Sequence, residues 1–183
     1  MNDFMNLLKT RRSIRKFQDK PVPQEMLDTL LDAVKWSQSW ANTQCWEVIQ
    51  VADKSLREKI QEAVVKNPAT KAIVEAPVLL ALCAKKNSSG FYSGLVTTKY
   101  GDWMLFDLGI ATQSLCLAAH SIGLGTVVVG LYDHDKVAEV LKIPAEYNQV
   151  ALIPLGFPAK DPSPPNRREV ADFTHVNTFG NKG

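Results

Sequence analysis

The chain has 183 residues, of which 45% are hydrophobic, 8% aromatic and 22% charged. That balance fits one globular domain with a real core and excludes general disorder. Lys and Arg number 21 against 19 Asp and Glu, a net charge of +2, too slight to drive binding to nucleic acid or an acidic membrane surface except through a local cluster. Cys45, Cys83 and Cys116 are odd in number and include no CxxC pair, which argues against a secreted disulfide framework and a four-thiolate zinc site. The opening Met1-Asn2-Asp3-Phe4 lacks the basic-then-apolar order of a signal peptide. The longest apolar runs, around residues 78–84 and 150–157, fall far below the roughly 18 residues that cross a bilayer. The expectation is a cytoplasmic protein with no metal centre and no membrane partner.

Residues 3–10 carry Phe4, Leu7 and Leu8 at helical spacing and predict a short opening helix. It stops in a basic turn, Arg11-Arg12-Ser13-Ile14-Arg15-Lys16. Pro23 opens a second helix, with Met26, Leu27, Leu30, Leu31 and Val34 as its apolar stripe. The polar segment 39–44 precedes a strand over 46–51. Ser55 with Glu58 reads as a capping box, and Leu56, Ile60 and Val64 mark a third helix that ends near Asn67-Pro68. Residues 78–84 form a continuous apolar run and predict a buried strand. Residues 85–101, with Phe91, Tyr92 and Tyr100, are the longest irregular stretch inside the chain, and such loops tend to be functional.

From Asp102 to about Ile122 the pattern is helical and apolar on nearly every side, as in a helix buried in a core or a subunit interface. Gly123 ends it, and residues 125–130 contain a β-branched strand, Val127-Val128-Val129. Asp133 or Asp135 caps a helix through Leu141, Pro144 stops it, and residues 150–157 form a further strand. The tail holds Pro158, Pro162, Pro164 and Pro165, then Arg167-Arg168 and an alternating segment over 173–179. Four strands separated by helices exclude an all-β fold and fit an α+β or α/β layered domain.

Familiar motifs fail here. Gly123-Leu124-Gly125 follows a helix and precedes a strand, the reverse of the order a dinucleotide fingerprint needs. No Gly-Lys-Ser/Thr occurs, so a P-loop is absent. His120, His134 and His175 are isolated, and His120 on an apolar helix reads as a satisfied core histidine rather than a ligand. The basic turn is different in kind. A charge run at a helix end is commonly just a solvated face, but arginines match the planar geometry of phosphate and Ser13 adds a hydroxyl donor. Arg167-Arg168 in the tail suggests a second segment converging on the same anion. Each charge-assisted hydrogen bond of that kind contributes on the order of 1.5–3 kcal/mol. A basic nucleic-acid or anion-binding module is the competing class; it requires a broad basic face, which the +2 balance opposes.

Four motifs in order complete the reading: Arg11-Arg12-Ser13-Ile14-Arg15; Ser39, Asn42, Gln44 and Trp46 in an S-x-x-N-x-Q-x-W spacing; Gly123-Leu124-Gly125, strand, Gly130; and Gly156-Phe157-Pro158 followed by Pro164-Pro165-Asn166-Arg167. Together they resemble the nitroreductase family over about residues 9–175. The resemblance implies a single α+β domain over 1–183, an α/β sandwich. Its central, mostly antiparallel sheet would have four strands of its own plus a tail strand exchanged with the partner, flanked by helices. The tail, 158–183, would wrap the partner subunit. It implies FMN as cofactor, NADH or NADPH as electron donor, and a homodimer that shares its flavin sites. Hydride would pass from the donor to flavin N5 and on to nitroaromatic, quinone or similar flat acceptors by a ping-pong scheme. No catalytic side chain is needed, because the flavin carries the chemistry.

By position, the resemblance makes Arg11, Arg12, Ser13 and Arg15 the flavin-binding turn, with Arg11 and Ser13 on the phosphate and ribityl chain and Arg15 reaching toward the N1/O2 edge of the ring. Ser39, Trp40, Asn42 and Gln44 match the segment supplied by the other subunit, Gln44 as support. Val129, Gly130 and Leu131 match the strand end whose backbone N–H faces N5, while Arg167, and with less weight Arg168, match the arginine that closes on the phosphate. Phe91, Tyr92, Tyr100 and Trp103 are candidates to line the acceptor pocket. Cys45 and Gln38 stand where the family commonly has proline, and Val129 replaces an acid found in some members. Relatives with other flavin chemistry, reductive dehalogenation or flavin breakdown, are the runner-up within the family.

Overall fold

The computed structural model describes residues 3–182; Met1, Asn2 and Gly183, the outer ends of the expected domain, lie outside the described residues. In chain order the elements are α1 (Asp3–Thr10), α2 (Gln24–Lys35), a 3-10 turn (Trp40–Asn42), β1 (Trp46–Gln50), α3 (Lys54–Ala63), α4 (Ala72–Glu75) and β2 (Val78–Lys85). There follow β3 (Phe91–Tyr92), β4 (Leu95–Val96), α5 (Met104–Ser121), β5 (Gly125–Thr126), α6 (His134–Val140), β6 (Tyr147–Gly156) and α7 (Val170–Phe173).

The most apolar stretch of the chain builds the middle of the sheet. Residues 78–84 of β2 are all buried, which suits a strand covered on both faces. The order is β1-β2-β6-β5, and every pair is antiparallel, with Val48 opposite Leu82 and Leu80 opposite Ile153. The two-residue period of a strand divides β2 between two cores. Leu80, Leu82 and Ala84 face a cluster with Leu27, Leu30 and Val34 of α2 and Leu108, Ala111 and Leu115 of α5. Leu79 and Ala81 face the opposite cluster with Ile60 of α3, Ile73 of α4 and Val137 of α6. The molecule is thus a four-stranded antiparallel sheet with helices on both faces, an α+β arrangement.

Several local expectations shift. The third helix is capped by Asp53, whose side chain accepts from the N–H groups of Ser55 at 2.7 Å and Leu56 at 3.3 Å; Ser55 and Glu58 are inside the helix, not its cap. Of the two candidate caps of α6, Asp133 does the work, accepting from Lys136 N–H at 3.0 Å. The loop 85–101 contains the β3–β4 hairpin. The strand expected over Val127–Val129 begins earlier, at Gly125, and continues as an isolated bridge between Val129 and Leu152. α5 is not buried all round in the single chain: Leu105 is 58% and Phe106 60% exposed.

Two features deliver the N-terminal turn to the sheet. Ile14 N–H donates to the Thr126 carbonyl at 2.9 Å, and a Cβ on Gly125 would lie 2.4 Å from Ile14 Cγ1. Only glycine leaves room for this approach. Just past the same, C-terminal end of β6, Gln18 N–H donates to the Phe157 carbonyl at 2.9 Å and Ala159 N–H to the Lys16 carbonyl at 3.0 Å. The start of the tail is therefore tied to the residues just after the arginine turn.

No strand forms within the single chain's tail among the described residues. Residues 170–173 are helical, because Glu169 and Asp172 cap one another's backbone. Residues 174–182, expected to include a strand, close into turns in which Val176 N–H donates to the Asn181 carbonyl at 2.9 Å. A strand needs a sheet edge to pair with, and the tail leaves its own sheet at Ala159.

Candidate functional site

The arginine turn and the tail meet. Arg11, Arg12, Ser13 and Arg15 line one cavity of about 240 Å³ with Pro162, Ser163, Pro165 and Arg167. None of these four arginines forms an ion pair among the described residues. Arg12 turns one nitrogen onto the carbonyls of Lys9 at 2.7 Å and Arg11 at 2.8 Å, so it serves both the end of α1 and the cavity wall. Unneutralised guanidinium groups around a concavity, with two hydroxyls beside them, are the donor set that a phosphate needs. Arg168 is not part of it. Its Nη2 donates to the Asp172 carbonyl at 2.7 Å and its guanidinium lies 5.8 Å from the Phe173 ring centre, so α7 occupies it.

His120 sits beside this cluster and shares a small cavity with Arg11, Arg12 and Asp161. It is half-buried rather than a core residue. Thr10 Oγ1 gives its proton to the Asn6 carbonyl at 2.7 Å, so at its 2.8 Å contact with His120 Nε2 the ring nitrogen is the donor. Burial, and then the charges of Arg11 and Arg12, hold the imidazole below its usual pKa.

A second cavity, about 370 Å³, borders the first through Arg11 and Ser13 and is otherwise walled largely by Leu105, Leu108, Gly109 and Thr112 of α5 and by Val128. The cationic recess thus opens beside an apolar wall made by a helix. Val129 cannot present its N–H there, since it is buried and donates to the Leu152 carbonyl at 2.9 Å. Alternation along an extended segment makes this inevitable: Val127 and Val129 turn toward β6. Gly130 and Leu131 are exposed and keep the place at the strand end.

The segment 39–44 lies elsewhere. Ser39 and Trp40 line a third cavity of about 320 Å³ with Gln38, Trp103, Phe106, Asp107 and Ile110, which shares no residue with the arginine cavity. Ser39 Oγ accepts from Gln44 N–H at 2.9 Å, and Gln44 Nε2 donates to Asn42 Oδ1 at 3.1 Å. Ala41, Asn42 and Gln44 have φ of 44°, 56° and 48°, left-handed values that non-glycine residues adopt at a cost and that cluster at functional sites. Beside them the Cys45 thiol is buried and pushed up to about 11, by desolvation first and then by the charge of Asp107. It stays protonated at neutral pH and fills space. Of the four aromatic candidates only Trp103 borders one of these four cavities. Tyr92 and Tyr100 are 73% and 78% exposed, and Phe91 belongs to the β3–β4 hairpin.

Sequence reasoning missed Asp107, Phe106 and the α5 wall of the second cavity. Asp107 left one signal, a lone carboxylate inside an otherwise apolar helix. The wall residues left none, since apolar side chains on a helix look alike whether they cover a core or a ligand.

Residues 8–157 match the model of the Nitroreductase family. The chain is 35% identical over 164 residues to a protein of Methanothermobacter thermautotrophicus provisionally named an NADH dehydrogenase/NAD(P)H nitroreductase, covering 87% of this chain and 80% of that one. It is 32% identical over 196 residues to FMN reductase [NAD(P)H] of Bacillus subtilis, covering 100% of this chain and 76% of the relative. Among solved structures, an FMN-dependent nitroreductase from Clostridium difficile R20291 superposes with a TM-score of 0.80 at 27% identity, covering 96% of this chain and 99% of that one.

Proposed function

The chain belongs to the nitroreductase family, and we propose that it is an FMN-dependent oxidoreductase that draws on NADH or NADPH and reduces flat electrophilic acceptors such as nitroaromatics or quinones, working as a homodimer. When bound, the flavin would supply the redox chemistry, hydride transfer between donor and acceptor. The chain's own residues bind and orient it. Arg11, Arg12 and Arg167 neutralise the phosphate, and Ser13 donates to it or to the ribityl chain. Arg15 would supply a cation for the N1/O2 edge of the ring, and the Gly130–Leu131 backbone would offer N–H donors for its N5 side.

The observation that carries this reading is the convergence of Arg11 and Arg167, distant in sequence, on one cavity, with no carboxylate ion-paired to either among the described residues. The split between half-sites supports the homodimer. The arginine cavity and the Ser39–Gln44 turn lie apart in one chain, yet the apolar cavity uses Leu105 and the third cavity uses the adjacent Phe106. A two-fold axis at this exposed face of α5 sets the Ser39, Trp40, Asn42 and Gln44 turn of one protomer against the arginines of the other, with Gln44 holding Asn42 in place. Trp103, beside Trp40 in the third cavity, then borders the space for the acceptor. The tail, 158–183, reaches across the same interface. A cytoplasmic setting goes with this reading; the three thiols are free, and no helix among the described residues is long and apolar enough to cross a membrane.

The visible spectrum tests the reading. Purified protein, or protein incubated with FMN and desalted, should be yellow and should bleach when NADH or NADPH is added without oxygen. Protein that stays colourless after incubation contradicts the proposal.

A further inference from the structure

Asp107 is the only buried carboxylate among the described residues, at 1% exposure, and it has no ion-pair partner there. A charge taken out of water without a counter-ion is tolerated only where hydrogen bonds replace the lost solvent. Trp40 N–H donates to both carboxylate oxygens at 3.1 Å each, and the Ser89 hydroxyl donates to Oδ2. The donors come from two loops. Trp40 begins the turn that holds the left-handed Ala41, Asn42 and Gln44. Ser89, fully buried, lies in the 85–101 loop, and its carbonyl accepts from Trp103 N–H at 3.0 Å.

We infer that Asp107 is the positioning residue of the site, a buried acid on α5 that fixes the 39–44 turn and, through Ser89, the loop leading to Trp103 onto one helix, so that the turn meets the flavin in a single geometry. This rests on the proposed role of the 39–44 turn as a cofactor contact. Asp107 is 1% exposed and acts through the two loops it ties. Two features separate positioning from packing. Its neighbours Met104, Leu108 and Ala111 belong to the apolar core, where an aliphatic side chain serves stability better than a desolvated charge. Both its ties run to loops that carry candidate site residues, Ser39, Trp40 and Asn42 in one and Trp103 at the end of the other, rather than to strands or helices of the core.

The test compares wild type with Asp107→Leu, Asp107→Asn and Ser89→Ala. In flavin-free protein, amide hydrogen exchange at residues 40–44 should quicken most in Asp107→Leu, by about tenfold or more, less in Asp107→Asn and least in Ser89→Ala, which keeps the Trp40 tie. The FMN Kd should rise in the same order, by about tenfold or more for Asp107→Leu, and the visible circular dichroism of the bound flavin should change shape. Should Asp107→Leu fail to fold, Asp107→Asn carries the same comparison. Variants with a lowered Tm but wild-type exchange at residues 40–44, wild-type FMN affinity and an unchanged flavin spectrum overturn the inference, leaving Asp107 a structural residue. A wild-type chain that binds no FMN overturns the proposed function instead, and the flavin-free exchange measurement still decides whether Asp107 holds the turn.

Discussion

Arg11 and Arg167 lie at opposite ends of the chain, border one cavity and form no ion pair with a carboxylate among the described residues. Replacing either by alanine should raise the FMN Kd by about ten- to a hundredfold, the worth of one or two charge-assisted hydrogen bonds, while the Tm of flavin-free protein changes little. Quenching of FMN fluorescence on titration measures this; equal Kd values for wild type and both variants would remove the arginines from the site. His120 gives a pH signature. Its folded pKa lies below the ordinary value of 6.5, so as pH falls through that range the unfolded chain takes up a proton that the folded chain resists. Stability should therefore be full above about pH 6.5 and decline below it, and His120→Gln should flatten part of the decline in urea unfolding between pH 7 and 5. At this scale the sequence was informative where chemistry is written in residue type, as in Arg11 and Ser13. It was silent where partner choice decides. Val129 spends its N–H on Leu152 and Arg168 turns to Asp172, and neither fact is visible without the fold.

Among elements, the contact between the arginine turn and β5 positions the cationic recess, and it depends on Gly125. Gly125→Ala places a Cβ 2.4 Å from Ile14 Cγ1, and overpacking of this kind costs about 1–3 kcal/mol. Urea denaturation should show that loss together with weaker FMN binding, and a second change, Ile14→Ala, should restore part of the affinity. Additive losses in the double variant would show that the contact does not set the turn. The helices and the central strands were legible because their apolar periodicity is long and uninterrupted, as in α2, β2 and β6. The cap of α3 was misread because Asp53 and Ser55 are both good capping residues two positions apart, and the choice falls to whichever side chain reaches the free N–H groups. The β3–β4 hairpin and α4 were missed because two- and four-residue elements carry no period at all.

For the whole molecule, the exposed apolar face of α5 is the decisive feature. The sequence pattern predicts a helix buried on every side, whereas the single chain leaves Leu105 and Phe106 exposed; the proposed second protomer would reconcile the two. Leu105→Glu with Phe106→Glu should convert a dimer to a monomer in size-exclusion chromatography with light scattering, and a double variant that still elutes as a dimer would move the interface elsewhere. The layered α+β plan could be read from the order of elements alone. The proposed division of the site between protomers could not, since periodicity describes one chain and Ser39 and Trp40 line a different cavity from the arginines of their own chain.

Subunit complementation tests the shared site most directly. Homodimers of Arg11→Ala and of Asn42→Arg should each bind FMN poorly. A heterodimer with one chain of each kind restores one site with both halves intact and leaves one with both halves broken, so it should bind about one FMN per dimer with near wild-type affinity. A heterodimer that binds no better than its parents would contradict a flavin held between two protomers.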